Sequence, residues 1–103
     1  MARFQPVISG STVTVVLTGR VDAAAAPELL EELKKLIGKG LAKAVFDCAK
    51  LDYISSAGLR AIIFAKQKIG ANVEVYIVGA SEDIQSVIKM TGFESFLKIQ
   101  DTL

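Results

Sequence analysis

Three amphipathic stretches alternate with β-type apolar runs along this chain, and that alternation leaves few folds open. Leu29, Leu30, Leu33, Leu36 and Ile37 recur at the spacing that lines one face of a helix. Leu59, Ile62, Ile63 and Ile69 do the same for a second helix, and Ile84, Val87 and Ile88 for a third. Around them the pattern predicts short strands over Phe4–Ile8, Val13–Thr18, Ala42–Cys48, Val73–Val78 and Phe96–Ile99. Ser9-Gly10-Ser11 favours a tight turn between the first two, which makes a hairpin. The order is ββαβαβαβ. Strands alternating with helices call for parallel pairing by right-handed crossovers, so the expected fold is a single α/β domain over residues 1–103 with a mixed sheet covered by helices.

The punctuation agrees with these elements. Pro27 suits the first turn of the first helix, Glu28, Glu31 and Glu32 lie toward its N-terminal half, and Lys34, Lys35 and Lys39 toward its C-terminal half. Gly38 and Gly40 can end it, and Gly38-Lys39-Gly40 is better read as that end than as a nucleotide cradle. Leu51-Asp52-Tyr53-Ile54 leads out of the third strand, and Gly70 stops the second helix. Ser81 can cap the third helix, Glu82 and Asp83 occupy its first turn, and Thr91-Gly92 closes it.

Composition removes several function classes. With no histidine and one cysteine, the chain lacks the usual zinc and iron ligand sets and cannot build a Ser-His-Asp arrangement, so neither metal nor cofactor is expected. Twelve basic against eleven acidic residues leave a charge of +1 without a clustered Lys/Arg block, which points away from nucleic acid. Apolar residues make up 51% of the chain, yet no uninterrupted run approaches the roughly 20 residues of a membrane span. The start, Met1-Ala2-Arg3-Phe4-Gln5-Pro6, lacks the features of a secretory signal, so a cytoplasmic location is expected. Cys48, beside Val45 and Phe46, reads as a buried strand thiol. No acid-base set is visible, and a non-enzymatic role is the expectation.

In open α/β sheets, function gathers at the strand C-terminal ends, which here selects Gly19–Ala26, Lys50–Gly58 and Gly79–Asp83. The middle segment places Ser55 and Ser56 immediately before a helix. One reading is that the pair only caps that helix, a role worth about 1 kcal/mol. The other is that Ser55 or Ser56 is phosphorylated, because a helix start tolerates a phosphate while the added charge changes the outer surface. Asp22 and Asp52 are the acids nearest these loops, each with an alternative role in a turn or cap. Asp47, Lys43 and Lys50 read as surface charges. Arg60, in the first turn of the helix, is placed to meet a partner.

The segments Val16-Leu17-Thr18-Gly19-Arg20-Val21-Asp22, Ala26 with Leu29, Asp52-Tyr53-Ile54-Ser55-Ser56-Ala57-Gly58-Leu59-Arg60 and Val78-Gly79 together resemble the STAS family, and within it the anti-sigma-factor antagonists of bacterial partner-switching pathways. The resemblance implies helices packed mainly on one side of the sheet. It implies phosphorylation of Ser56, two positions before the motif glycine, by an anti-sigma factor that is also a serine kinase, with Ser55 as the competing acceptor. A serine phosphatase would reverse the step. The unphosphorylated domain, a monomer without catalysis of its own, would dock through Asp22, Asp52, Ser55, Ser56, Gly58, Leu59 and Arg60 and let go once phosphorylated. Phosphorylated members usually carry aspartate where this chain has Ser55, and a hydroxyl where it has Ala25, so capping near Ala25 falls to Asp22 or to the backbone. The alternative within the family is an unphosphorylated accessory subunit of a membrane transporter ATPase complex.

Overall fold

The computed structural model describes residues 4–70 and 72–101; the Met1-Ala2-Arg3 start read above for a signal lies outside them. Gly10, with a φ of 62°, lets the chain reverse tightly so that β1 (Val7–Ser9) lies antiparallel on β2 (Thr12–Val21), Ile8 opposite Val13. From β2 onward every pairing is parallel: β2 with β3 (Lys43–Ile54), β3 with β4 (Glu74–Val78) and β4 with β5 (Lys98–Gln100). The sheet order is β1-β2-β3-β4-β5. Each parallel step moves in the same direction, so right-handed crossovers carry α1 (Ala26–Lys34), α2 (Ser56–Lys68) and α3 (Glu82–Thr91) to the same face. The expected one-sided mixed α/β domain is what forms.

The core lies between that face and the helices. Val13 and Val15 of β2 share register with Ala44 and Phe46 of β3, which continue into Val75 and Ile77 of β4, and all of these, with Leu17 of β2, are buried. Leu29, Leu33, Leu59, Ile62, Ile84 and Ile88 close over them from the helices. Every fully removed side chain of this size contributes about 1.5–3 kcal/mol, which is why the pattern of period 2 against period 3.6 fixes the layers.

The opposite face is kept wettable by charge laid over one aromatic ring. Lys43 and Lys98 sit 5.6 and 5.7 Å from the centroid of Tyr76, and Lys98 pairs with Glu74 at 2.6 Å. The Lys98 ammonium, hydrogen-bonded to Glu74, holds that carboxyl below its usual range.

Several boundaries differ from the sequence reading, among them that of β2, which runs past the expected Thr18 to Val21, so that residues 19–21 are strand rather than loop. β3 runs to Ile54, so Leu51-Asp52-Tyr53-Ile54 is strand: Gly19, Arg20 and Val21 pair with Leu51, Tyr53 and Ile54, and two register shifts in the ladder break the simple alternation. The first helix stops at Lys34, before Gly38, and turn hydrogen bonds from Leu36 to Leu33 and from Ile37 to Lys34 carry the chain on. β1 starts only at Val7, although Phe4 is buried in the core. Phe93–Phe96 forms a 3-10 turn, and the last strand begins at Lys98.

Candidate functional site

Because β2, β3 and β4 are parallel, their C-terminal ends at Val21, Ile54 and Val78 fall on one edge of the sheet. The backbone N–H of Ser55 donates to the carbonyl of Val21 at 2.8 Å, stitching the start of α2 to the segment that leads into α1. Immediately beyond, Asp22 organises the turn. Its Oδ1 accepts from Ala25 N–H at 3.0 Å, and its carbonyl accepts from Ala25 and Ala26 at 3.1 and 3.0 Å. The residue at the cap position, Ala25, has no side chain to do this, and Pro27 has no N–H to satisfy. The turn is therefore capped by Asp22, as the alanine at position 25 requires.

The two serines divide their work. Ser55 is extended (φ −83°, ψ 166°), half-buried, and its Oγ accepts from Gly58 N–H at 3.1 Å, so it is the cap of α2. Ser56 is the first helical residue, it is exposed, and its hydroxyl makes no hydrogen bond among the described residues. Replacing Ser55 by alanine is expected to cost about 1 kcal/mol of stability and replacing Ser56 about 0.5 kcal/mol or less, which chemical denaturation of the two variants measures directly. Equal losses would contradict the assignment of the cap.

Gly58 and Leu59 are buried and present no surface; they seat the helix. A Cβ on Gly58 would stand 2.9 Å from Cγ1 of both Ile54 and Val21, so only glycine lets α2 start this close to the sheet. Asp52 lies exposed on β3, and neither its carboxylate nor that of Asp22 is hydrogen-bonded to a serine among the described residues. Arg60 is exposed and lines a groove of about 390 Å³ between α1 and α2, whose other walls are Ala26, Pro27, Leu30, Ala57, Ala61 and Phe64. The groove is apolar apart from Arg60, and no acidic residue occupies the first turn of α2. No group of three or more possible metal ligands occurs among the described residues. Among the described residues, no helix is long and apolar enough to cross a membrane.

The family described as STAS domain matches residues 3–103. The chain belongs to the STAS domain family. Among curated STAS-like relatives, BtrV of Bordetella bronchiseptica, named as a candidate anti-sigma factor antagonist, is 34% identical over 87 residues, covering 84% of this chain and 75% of BtrV. A crystal structure of an anti-sigma factor antagonist from Mycobacterium paratuberculosis superposes with a TM-score of 0.84 at 19% identity, over 97% of this chain and 86% of that one. The anti-sigma factor antagonist SpoIIAA in its unphosphorylated form gives 0.77 at 17% identity, over 97% and 89%. The phosphorylated form of Bacillus SpoIIAA gives 0.70 at 17% identity, over 93% and 89%. At these identities the solved structures establish the shared fold.

Within this STAS domain, the α1–α2 groove is the feature that sequence reading missed. Leu30, which the periodicity puts on the inner face of the first helix, is only partly buried, and so is Phe64, which that reading of the second helix did not include. The available signal was width: Leu29, Leu30 and Leu33 span more of α1 than one contact with the sheet consumes.

Proposed function

We propose that this STAS domain is an anti-sigma factor antagonist that binds a kinase-type anti-sigma factor when unphosphorylated and is released when Ser56 is phosphorylated. The observation that carries this reading is the division between the serines: Ser55 holds the cap, which leaves the Ser56 hydroxyl exposed and unbonded. A phosphate can be added there without removing a hydrogen bond the fold needs. The name of BtrV at 34% identity and the existence of SpoIIAA in both states support the same reading.

In the transfer step the Ser56 Oγ attacks the γ-phosphorus of ATP held by the partner. The bond from that phosphorus to the β,γ-bridging oxygen breaks, ADP leaves with the bridging oxygen, and the hydroxyl proton passes to a base of the partner. A serine phosphatase returns the hydroxyl by transferring the phosphoryl group to water. The added phosphate brings a charge of about −1.5 to −2 to a surface with no acid in the first turn of α2. A partner surface that packs against the neutral helix start then faces a charge it has to desolvate. The domain works as a cytoplasmic monomer in this cycle.

Incubation with the candidate kinase and ATP, followed by intact-mass analysis, tests the proposal. Wild type and Ser55→Ala are expected to gain one phosphate and Ser56→Ala none. Phosphorylated wild type is expected to bind the kinase on the order of a hundredfold more weakly, about 2.7 kcal/mol. Absence of labelling by a kinase that modifies its known substrate in the same tube would overturn the reading.

A further inference from the structure

We propose that Arg60 is the internal counter-charge of phosphorylated Ser56. The inference rests on Ser56 being the acceptor and adds a residue that responds to the phosphate from within the same helix. Ser56 and Arg60 are four residues apart on α2, where side chains are neighbours with Cβ atoms about 5–6 Å apart. Helical side chains lean toward the N-terminus, so the one at position 60 covers the turn that begins at position 56. An acidic group N-terminal to a basic one at this spacing is the favourable order.

The surroundings prepare the guanidinium for this contact. Arg60 makes no ion pair among the described residues, and α2 offers it no acid in its first turn. Arg60 is exposed and lines the apolar groove with Ala57, Ala61 and Phe64, so its guanidinium faces no competing polar group there. The acids on the elements that contact α2 are Glu28, Glu31 and Glu32 on α1, Asp47 and Asp52 on β3, Glu74 on β4, Glu82 and Asp83 on α3 and Glu94 in the 3-10 turn, with Asp22 just ahead of α1. Asp22 is already committed to Ala25 N–H. Each of these carboxylates opposes a phosphate on Ser56, which leaves Arg60 as the positive group on its own helical face. The phosphoserine also occupies the guanidinium, so the modified domain no longer offers that charge at the groove to an acidic group of a partner.

The test places phosphoserine at position 56 during translation, independently of any kinase, and follows its second ionisation by phosphorus NMR at low salt. The variants are wild type, Arg60→Met, Arg60→Lys and Lys68→Met, the last removing an equal, exposed charge from the far end of the same helix. The second pKa is expected to lie about half a unit lower in wild type than in Arg60→Met, roughly threefold in the dissociation constant. Arg60→Lys should recover part of the difference, Lys68→Met should titrate like wild type, and the difference should shrink as salt is raised. Coincident curves for wild type and Arg60→Met overturn the proposal, as does an equal shift in Lys68→Met, which would make the effect one of net charge. Because the phosphoserine is incorporated during translation, a failure of Ser56 to be a kinase substrate leaves this outcome readable.

Discussion

Replacing Gly58 by valine is expected to lower stability by about 3 kcal/mol, at the upper end of the cost of overpacking a core. A Cβ alone would stand 2.9 Å from Cγ1 of Ile54 and of Val21 and 3.3 Å from the Val21 carbonyl oxygen. Val21 and Ile54 are the paired final residues of β2 and β3 and both are buried, so neither can swing aside as a surface chain would. The two γ-carbons of valine enlarge the conflict. Relief requires moving the start of α2 away from the sheet, which stretches the 2.8 Å bond from Ser55 N–H to the Val21 carbonyl and the 3.1 Å cap from Gly58 N–H to Ser55 Oγ. For a domain of this size the melting temperature should fall by about 12–20 °C. Gly58→Ala should show a smaller loss, since alanine adds one carbon and regains some helix propensity. Thermal unfolding of both variants checks the order; a valine variant as stable as wild type would mean that the helix start is not seated by this glycine.

That dependence explains how much of the site was legible in the sequence. The hydroxyl pair before Gly58 was visible because caps, glycines and apolar spacing are local signals. The split between Ser55 and Ser56 was open until the extended backbone at Ser55 placed its Oγ on Gly58 N–H, a matter of one dihedral that sequence does not carry. The role of Asp22 was half legible: with alanine at position 25, capping fell to the aspartate or to the backbone alone, and the structure sets Asp22 Oδ1 on Ala25 N–H. The extension of β3 through Asp52 was missed because the ladder to β2 shifts register twice, and a strand with shifts loses the strict alternation by which strands are recognised. The short end of α1 was missed for the opposite reason. Leu36 continues the apolar spacing and is buried, yet it reaches the core from a turn. Periodicity reports burial, and burial does not require helix.

The single cysteine sets the second large expectation, a loss of stability in alkali that a Cys48→Ala variant does not share. Cys48 faces the core from β3, is 2% exposed, and lies 3.6 Å from the Phe46 carbonyl oxygen. Burial pushes its thiol from 9.0 up to about 12, and the adjacent Asp47 carboxylate adds to the rise. A group whose pKa is raised on folding contributes stability that is intact below its unfolded value. The contribution is then lost as pH climbs from 9.0 toward 12, because the unfolded chain releases the proton first. The slope approaches about 1.4 kcal/mol per pH unit once the unfolded thiol is ionised, which amounts to roughly 2 kcal/mol between pH 9 and pH 11. Lysines and tyrosines also titrate there, so the informative quantity is the difference between wild type and Cys48→Ala in urea unfolding at each pH. That difference is expected to move against wild type by this amount over the interval; a constant difference would mean that burial does not protect the thiol. The same protection bears on function. At neutral pH Cys48 carries almost no thiolate, which leaves it inert as a nucleophile, while the free hydroxyl of Ser56 stands exposed on the edge where the three strand ends meet.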